Sequence, residues 1–256
     1  TDGLRMSERG PHPDDVTLLV ERLQSSDGFV PVGGVQETGD GQRVEDVRLA
    51  LLLHLINRLG LLRRDGERVR LNGNRVYAFL EQNRHQQLFA MWDGWRASPD
   101  WNDLLRTPGL DCSGGNWSNE PQRTREVVVG LLARLQPGLW YSQADVIDAI
   151  KEAAPDFQRP TGDYDSWYIR DSSTKEFLKG FDHWEQVEGA LLRFLFSGPL
   201  YWLNAFSLAE PSAGDDMLVS LSPLGAGWLG HDVPAPDEAA RQPLVVGEDY
   251  TIRVPF

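Results

Sequence analysis

The sequence predicts a mainly helical fold carrying small β-hairpin wings. Three observations predict it. Several segments repeat apolar residues at every third or fourth position, the period of one helix face. Short runs of apolar and β-branched residues flank turn pairs such as Asp65-Gly66, the pattern of a hairpin. The order of these elements in the first half of the chain recurs in the second.

Taken in order, Asp14 and Asp15 are suited to cap a helix through VTLLVERLQS, with Val16, Leu19, Val20 and Leu23 on one face. Asp27-Gly28 ends it, and Phe29–Val32 makes a short strand. Residues 33–42 are rich in Gly and Asp and read as a loop. Glu45–Leu59 is apolar nearly all round, so it is expected to be buried rather than displayed. Gly60 stops it, and Leu61–Leu71 folds back as a hairpin about Asp65-Gly66. Asn72–Leu80 and Arg84–Arg96 are helical, the second with Leu88, Met91, Trp92 and Trp95 at helical spacing.

The second half repeats the plan. Gln122–Leu135 is an amphipathic helix, Leu139–Tyr141 a short strand, and Ser142 caps a helix over Gln143–Ala154 that Pro155 ends. Asp182, with Glu185 three residues on, forms an Asp variant of a capping box before a very apolar helix ending at Gly198-Pro199. Leu200–Leu208 and Met217–Leu221 make a hairpin, and Ser222-Pro223 opens a last helix to Leu229. Helix, strand, helix, buried helix and two-stranded wing is the order of a winged helix, a helix-turn-helix variant. The fold class is therefore two winged-helix-like domains joined by a helical segment. The first copy departs from the order, since a loop stands where its second helix belongs. The boundaries are 12–105 for the first domain with its helical extension, 106–121 for a linker, and 122–230 for the second domain with a hairpin insert at 156–180. Residues 231–256 are expected as a tail.

Composition bounds the function. In 256 residues, 41% are hydrophobic and nine are tryptophan, enough for ordinary cores held by large rings. No run of about 18 apolar residues exists, so no membrane partner is expected. The first residues hold no apolar signal-peptide region, and a cytoplasmic setting is expected. One cysteine, Cys112, excludes an intrachain disulfide and a cysteine-rich zinc site. The net charge of −13 disfavours non-specific binding to phosphate, but it is unevenly spread. Six arginines (Arg58, Arg63, Arg64, Arg68, Arg70, Arg75) fall between 58 and 75, whereas eight acids after Leu203 face only Arg241 and Arg253.

Four lines, "RASPDWNDLLRTPGL" (96–110), "PDFQRPTGDYDSWYIRD" (155–171), "GFDHWEQVEGALLRFLFSGPLYWL" (180–203) and "PLVVGEDYTIRVP" (243–255), resemble a family of large bacterial proteins. That family carries a region named after the N-terminal part of XPB-type helicases. The resemblance covers most of residues 45–255. It implies a helicase-associated module, a tail at 231–256 that would start a further β-containing domain, and a chain that is a fragment of a longer protein, whose remainder would be a partner in cis. It implies no ATPase, because the chain contains no GxxxxGK[ST] phosphate loop.

Each candidate site competes with a plainer reading. Arg63, Arg64, Arg68 and Arg70 flank a hairpin suited to lie along DNA phosphates, with Arg58 and Arg75 beside it. The same residues would also make a solvated hairpin with Val69 and Leu71 turned inward. The preceding helix offers few polar side chains to read bases. The five histidines form neither HxxxH nor HExxH, so no metal or other cofactor is expected. Cys112 lies in a polar loop with no partner histidine in sequence, and reads as a plain thiol. Asp156, Asp163, Asp165 and Asp171 admit a metal-dependent nuclease, yet the PD…(D/E)xK order is broken by "EFL". Turn chemistry explains these acids better, with Ser166–Arg170 and Lys175–Lys179 pairing as a hairpin. Phe157, Tyr164, Trp167, Tyr168, Ile169 and Phe177 would anchor that hairpin, leaving Arg159, Asp165 and Arg170 exposed to meet a protein partner. The first expectation is thus a non-enzymatic, duplex-DNA-binding module with no catalytic residues. The second is a protein–protein scaffold using the acidic second half and the aromatic insert, and the most remote is the nuclease.

Overall fold

The computed structural model describes residues 3–7, 10–24, 47–66, 68–159, 162–210, 216–233, 245–246 and 252–253. The strand expected at Phe29–Val32, the loop after it and the start of the helix expected from Glu45 lie outside these residues. Helix predominates among the described residues, and the strands form small antiparallel sheets.

The first half opens with β1 (Leu4–Ser7), β2 (Gly10–Pro11) and α1 (Pro13–Gln24). Next come α2 (Val47–Arg58), β3 (Leu62–Asp65), β4 (Arg68–Leu71), α3 (Gly73–Leu80) and α4 (Arg84–Arg96). The hairpin of β3 and β4 forms as the Asp65-Gly66 pair predicts, with Gly66 at φ 61. The sheet is larger than the sequence indicates: its order is β2-β1-β4-β3, because β1 adds to the hairpin through Leu4↔Val69 and Arg5↔Arg68. Asp14 and Asp15 are corrected from caps to first-turn residues of a helix that starts at Pro13. Asp15 instead accepts from Arg5, at 2.8 Å from its backbone N and 2.6 Å from Nη2. Those hydrogen bonds hold the Asp15 carboxyl down at about 2. α2 is less buried than its composition implies: Leu49, Ala50, Leu51 and Leu55 are buried, while Leu52, Leu53 and Ile56 are half-buried.

The second half runs β5 (Leu110–Asp111), α5 (Pro121–Leu132), β6 (Trp140–Ser142), α6 (Gln143–Ala153) and β7 (Arg170–Asp171). A π-helical turn at Glu185–Gly189 leads into α7 (Ala190–Ser197). The described elements end with α8 (Pro199–Trp202), β8 (Phe206–Ala209), β9 (Leu218–Leu221), α9 (Pro223–Trp228), and the pair β10 (Val245–Val246) and β11 (Ile252–Arg253). β6, β9 and β8 form a three-stranded sheet in that order. Two elements differ from expectation. Leu200–Leu208 is not one strand: Pro199 sits at the first position of a helical turn, and the strand begins only at Phe206. An apolar run of that length does not tell strand from helix by itself. Asp182 caps nothing; it lies in a 3₁₀ turn over Phe181–His183 that Gly180 enters at φ 81.

One continuous apolar core runs from α2 through α4, Trp101 and Leu104 into α5, α6, α7, β8, β9 and α9. Trp92 on α4 stacks on Trp228 of α9 at 5.5 Å and tilts against Trp95 at 5.3 Å. The segment expected as a linker contributes β5, which pairs Leu110↔Asp171 and Asp111↔Arg170 with β7. A buried polar node lies beside this core. Arg125 of α5 is fully buried and its Nη1 donates to Asp103 at 2.6 Å and to the Trp101 carbonyl at 2.8 Å. Its Nη2 donates to the Ser98 carbonyl. Asp103 also accepts the indole N–H of Trp95 and of Trp101, at 3.1 and 2.9 Å. His54 of α2 bonds Ser98 Oγ at 2.8 Å, and burial together with Arg58 depresses its pKa.

Candidate nucleic-acid interface

Residues paired directly across antiparallel strands share a face of the sheet. Arg63 pairs with Arg70, Asp65 with Arg68, and Arg68 in turn with Arg5. One face of the first sheet therefore carries Arg5, Arg63, Arg68 and Arg70, with Asp65 as the acid among them. The opposite face carries Leu4, Leu62, Val69 and Leu71, with Arg64. Arg5 is the residue that sequence reasoning missed. Its place depends on the pairing of β1 with β4, across more than sixty residues of chain, and no local pattern reports such a pairing.

The expected arginines are not equivalent. Arg70 pairs with Asp65 at 2.8 Å, and Arg5 with Asp15 at 2.6 Å and Asp14 at 3.5 Å. Arg63 and Arg64 are exposed and have no carboxylate partner among the described residues. Arg58 is diverted: its Nη2 donates to the Ala97 carbonyl at 2.9 Å, tying the end of α2 to the end of α4. Arg75 lies over the turn at Gly60, where a Cβ would come within 2.8 Å of its Nη1. Two like charges directly opposed, as Arg63 and Arg70 are, repel. Asp65 offsets part of that repulsion, and an arriving anion would offset more.

The insert at 156–180 departs from its expectation in several respects, first at Arg159. Arg159 is corrected from exposed to buried, with 2% of its side chain accessible. Its Nε donates to Glu188 Oε1 at 2.5 Å, and Gln158 Nε2 donates to the same oxygen at 3.0 Å. Its guanidinium lies 4.9 Å from the Tyr164 ring and 4.7 Å from the Trp167 ring, so aromatic faces flank the cation. Trp167 in turn stacks on Trp117 at 4.9 Å. Sequence reasoning also missed Glu188, although it sits one helical turn from Trp184, Leu191 and Leu192 on the apolar face. Burial raises its pKa, against the lowering influence of Arg159.

The aspartates are occupied by local structure. Asp163 accepts the backbone N–H groups of Asp165 and Ser166, at 3.2 and 3.0 Å. Asp171 accepts those of Ser173 and Thr174, at 2.8 and 2.9 Å, and is held at about 2. Asp156 accepts the Tyr164 hydroxyl at 2.5 Å. Asp165 is exposed. Among the described residues no group of three or more His, Cys, Asp or Glu side chains is placed to hold a metal ion. Burial pushes the Cys112 thiol up to about 12, which leaves it protonated and a poor nucleophile at neutral pH.

Phe157, Tyr164, Trp167 and Ile169 are buried as anchors, but Tyr168 and Phe177 stay 44% and 40% exposed. The expected hairpin is reduced to an Arg170↔Phe177 bridge with flanking backbone bonds. Arg170 is half-buried with its guanidinium 4.3 Å from the Phe177 ring. No described helix is long and apolar enough to cross a membrane. Comparison with known proteins finds no matching family model, curated protein or solved structure.

Proposed function

We propose that this chain is a non-enzymatic, nucleic-acid-associated module of a larger protein that holds duplex DNA through the β3–β4 hairpin. The observation that carries this reading is the exposure of Arg63 and Arg64 without a carboxylate partner among the described residues, in a chain otherwise rich in acids. Arg70, Arg5 and Arg58 are committed to Asp65, Asp15 and the Ala97 carbonyl, whereas Arg63 and Arg64, on opposite faces of the hairpin, each retain charge to give to a phosphate on their own side. The order α5, β6, α6, α7, β8, β9, with β7 of the insert and the short α8 between them, and the sheet order β6-β9-β8 support a winged-helix-like reading of the second half. By the same analogy, the first half would use its hairpin as the wing. Binding would then be phosphate-led and weakly sequence-selective, because Arg58 is tied to the Ala97 carbonyl. A cytoplasmic setting and membership of the helicase-associated family belong to the same proposal.

The test is titration of a short labelled duplex with the full chain at several salt concentrations. Arg63→Ala with Arg64→Ala is expected to weaken binding and to flatten the salt dependence, by about 0.9 in log–log slope for each phosphate no longer neutralised. Unchanged affinity and slope would remove the hairpin from the interface. The scaffold reading has one observation of its own: Tyr168 and Phe177 of the insert, and Phe181 just after it, are exposed rings.

A further inference from the structure

The insert carries a second surface with a different chemistry. Leu178 N donates to Ile169 O and Asp171 N to Glu176 O, both at 2.9 Å, so residues 168–171 and 175–179 run as a short antiparallel ribbon. Side chains alternate across it. Ile169 and Leu178 point into the core at 0% and 7% exposure. Tyr168, Arg170, Phe177 and Lys179 therefore share the outward face. The two rings meet edge to face with centroids 5.8 Å apart. Lys179 Nζ lies 5.2 Å from each ring. Arg170 and Lys179 have no carboxylate partner among the described residues, whereas Lys175 is taken by Asp111 at 3.4 Å. The chain's three lysines, Lys151, Lys175 and Lys179, all fall in or beside this insert.

We propose that this face binds single-stranded nucleic acid, with a base stacked on Tyr168 or Phe177 and the adjoining phosphate held by Arg170 and Lys179. Two exposed rings beside an exposed lysine and a half-buried arginine match the two parts of an unpaired nucleotide. A duplex hides the faces of its bases, so it would leave the rings unused. An acidic peptide would satisfy the cations and leave the rings without a reason for exposure, in an insert that buries its other aromatics. The cation–π contacts now on these rings are weak at an exposed site and exchange readily for a base. The platform is also held in place. A Cβ on Gly115 would overlap Tyr168 Cδ2, so the Gly115 backbone lies directly against that ring. The proposal does not depend on the arginine hairpin.

The experiment titrates labelled oligothymidine, a duplex of the same length and polyglutamate against the full chain at low salt. Tyr168→Ala and Phe177→Ala are each expected to weaken oligothymidine binding about tenfold. Tyr168→Phe should retain it, and Arg63→Ala with Arg64→Ala should leave it unchanged. Duplex affinity should not respond to the ring variants, which separates failure of this site from failure of the hairpin. If Tyr168→Ala loses the circular dichroism of the parent, Lys179→Glu reads the same face and should weaken oligothymidine binding. The proposal is overturned if the parent does not bind oligothymidine, or if ring and Lys179 variants bind as the parent does. Polyglutamate binding that shows the same ring dependence also overturns it, in favour of an acidic protein partner.

Discussion

Arg159 and Glu188 are removed from water together, at 2% and 1% side-chain exposure, and each is costly without the other. The guanidinium keeps its charge under all ordinary conditions, so the protein must surround it. It does so with Glu188 Oε1 and with the faces of Tyr164 and Trp167. Removing the cation leaves a buried carboxylate, and Arg159→Ala should cost about 3–5 kcal/mol, read as a drop in the urea midpoint. The acid has its own signature. Glu188 Oε2 and Gln158 Oε1 are both buried without a donor among the described residues. Burial raises the Glu188 pKa above the roughly 4.3 of an unfolded chain. Between those two values the folded state holds the extra proton, so stability falls as pH rises through the window. Glu188→Gln should abolish that slope, whatever it does to absolute stability. A slope that persists in the variant would assign it to another group.

At the scale of elements, caps and turns were legible because they are local. Ser142 accepts from Asp145 N at 3.1 Å, where the sequence places a cap, and Ser222, expected to open the last helix with Pro223, accepts from Gly225 N at 2.9 Å. Asp65-Gly66 turns the arginine hairpin as expected. Long-range pairings were not legible. β1 joins the hairpin from the far end of the chain, and β5 meets β7 across the whole of α5 and α6. Buried charge was hidden for another reason. A charged residue on an apolar face is read as an exception and placed outside, since such residues are seldom fully buried. Arg125 lies one helical turn before Val128 and Val129, and Glu188 one turn before Leu191 and Leu192, so the signal existed in the spacing. In the candidate site, the arginine cluster was visible, but that Arg70 is paired by Asp65, that Arg58 is tied to the Ala97 carbonyl and that Arg5 joins the same face depends on the folded geometry. The placement of α9 shows how close such elements sit. Ser222 Oγ also donates to the Asn204 carbonyl at 2.6 Å, and a Cβ on Gly225 would overlap the Ala205 carbonyl oxygen. Ser222→Ala should therefore cost roughly 0.5–2 kcal/mol through the cap alone. Gly225→Ala should cost more, since backbone rather than a flexible side chain must yield. Equal midpoints for the two variants in urea titration would contradict that order.

For the whole molecule, the question is whether the two halves unfold as one. The apolar core does not break at 106–121; it passes from Leu51 and Leu55 through Trp92 and Trp95 to Leu132, Leu192 and Phe206. Arg125 holds the passage. From α5 it reaches the Ser98 and Trp101 carbonyls and Asp103, and its guanidinium lies 5.5 Å from the Trp95 ring. His54 brings α2 to the same loop through Ser98. The loop between α4 and α5 is thus bonded to helices of both halves, by groups that are satisfied only when both are in place. Such coupling favours one cooperative transition over two. Tryptophan fluorescence and far-ultraviolet circular dichroism should report the same urea midpoint for the parent. Arg125→Ala leaves Asp103 buried without its cation and should lower that midpoint by the equivalent of about 3–5 kcal/mol. Arg125→Lys should not restore it, because one ammonium cannot reach a carboxylate and two carbonyls in the geometry of the guanidinium fork. Separate midpoints for the two probes in the parent would mean that the halves unfold independently and that the Arg125 node does not couple them.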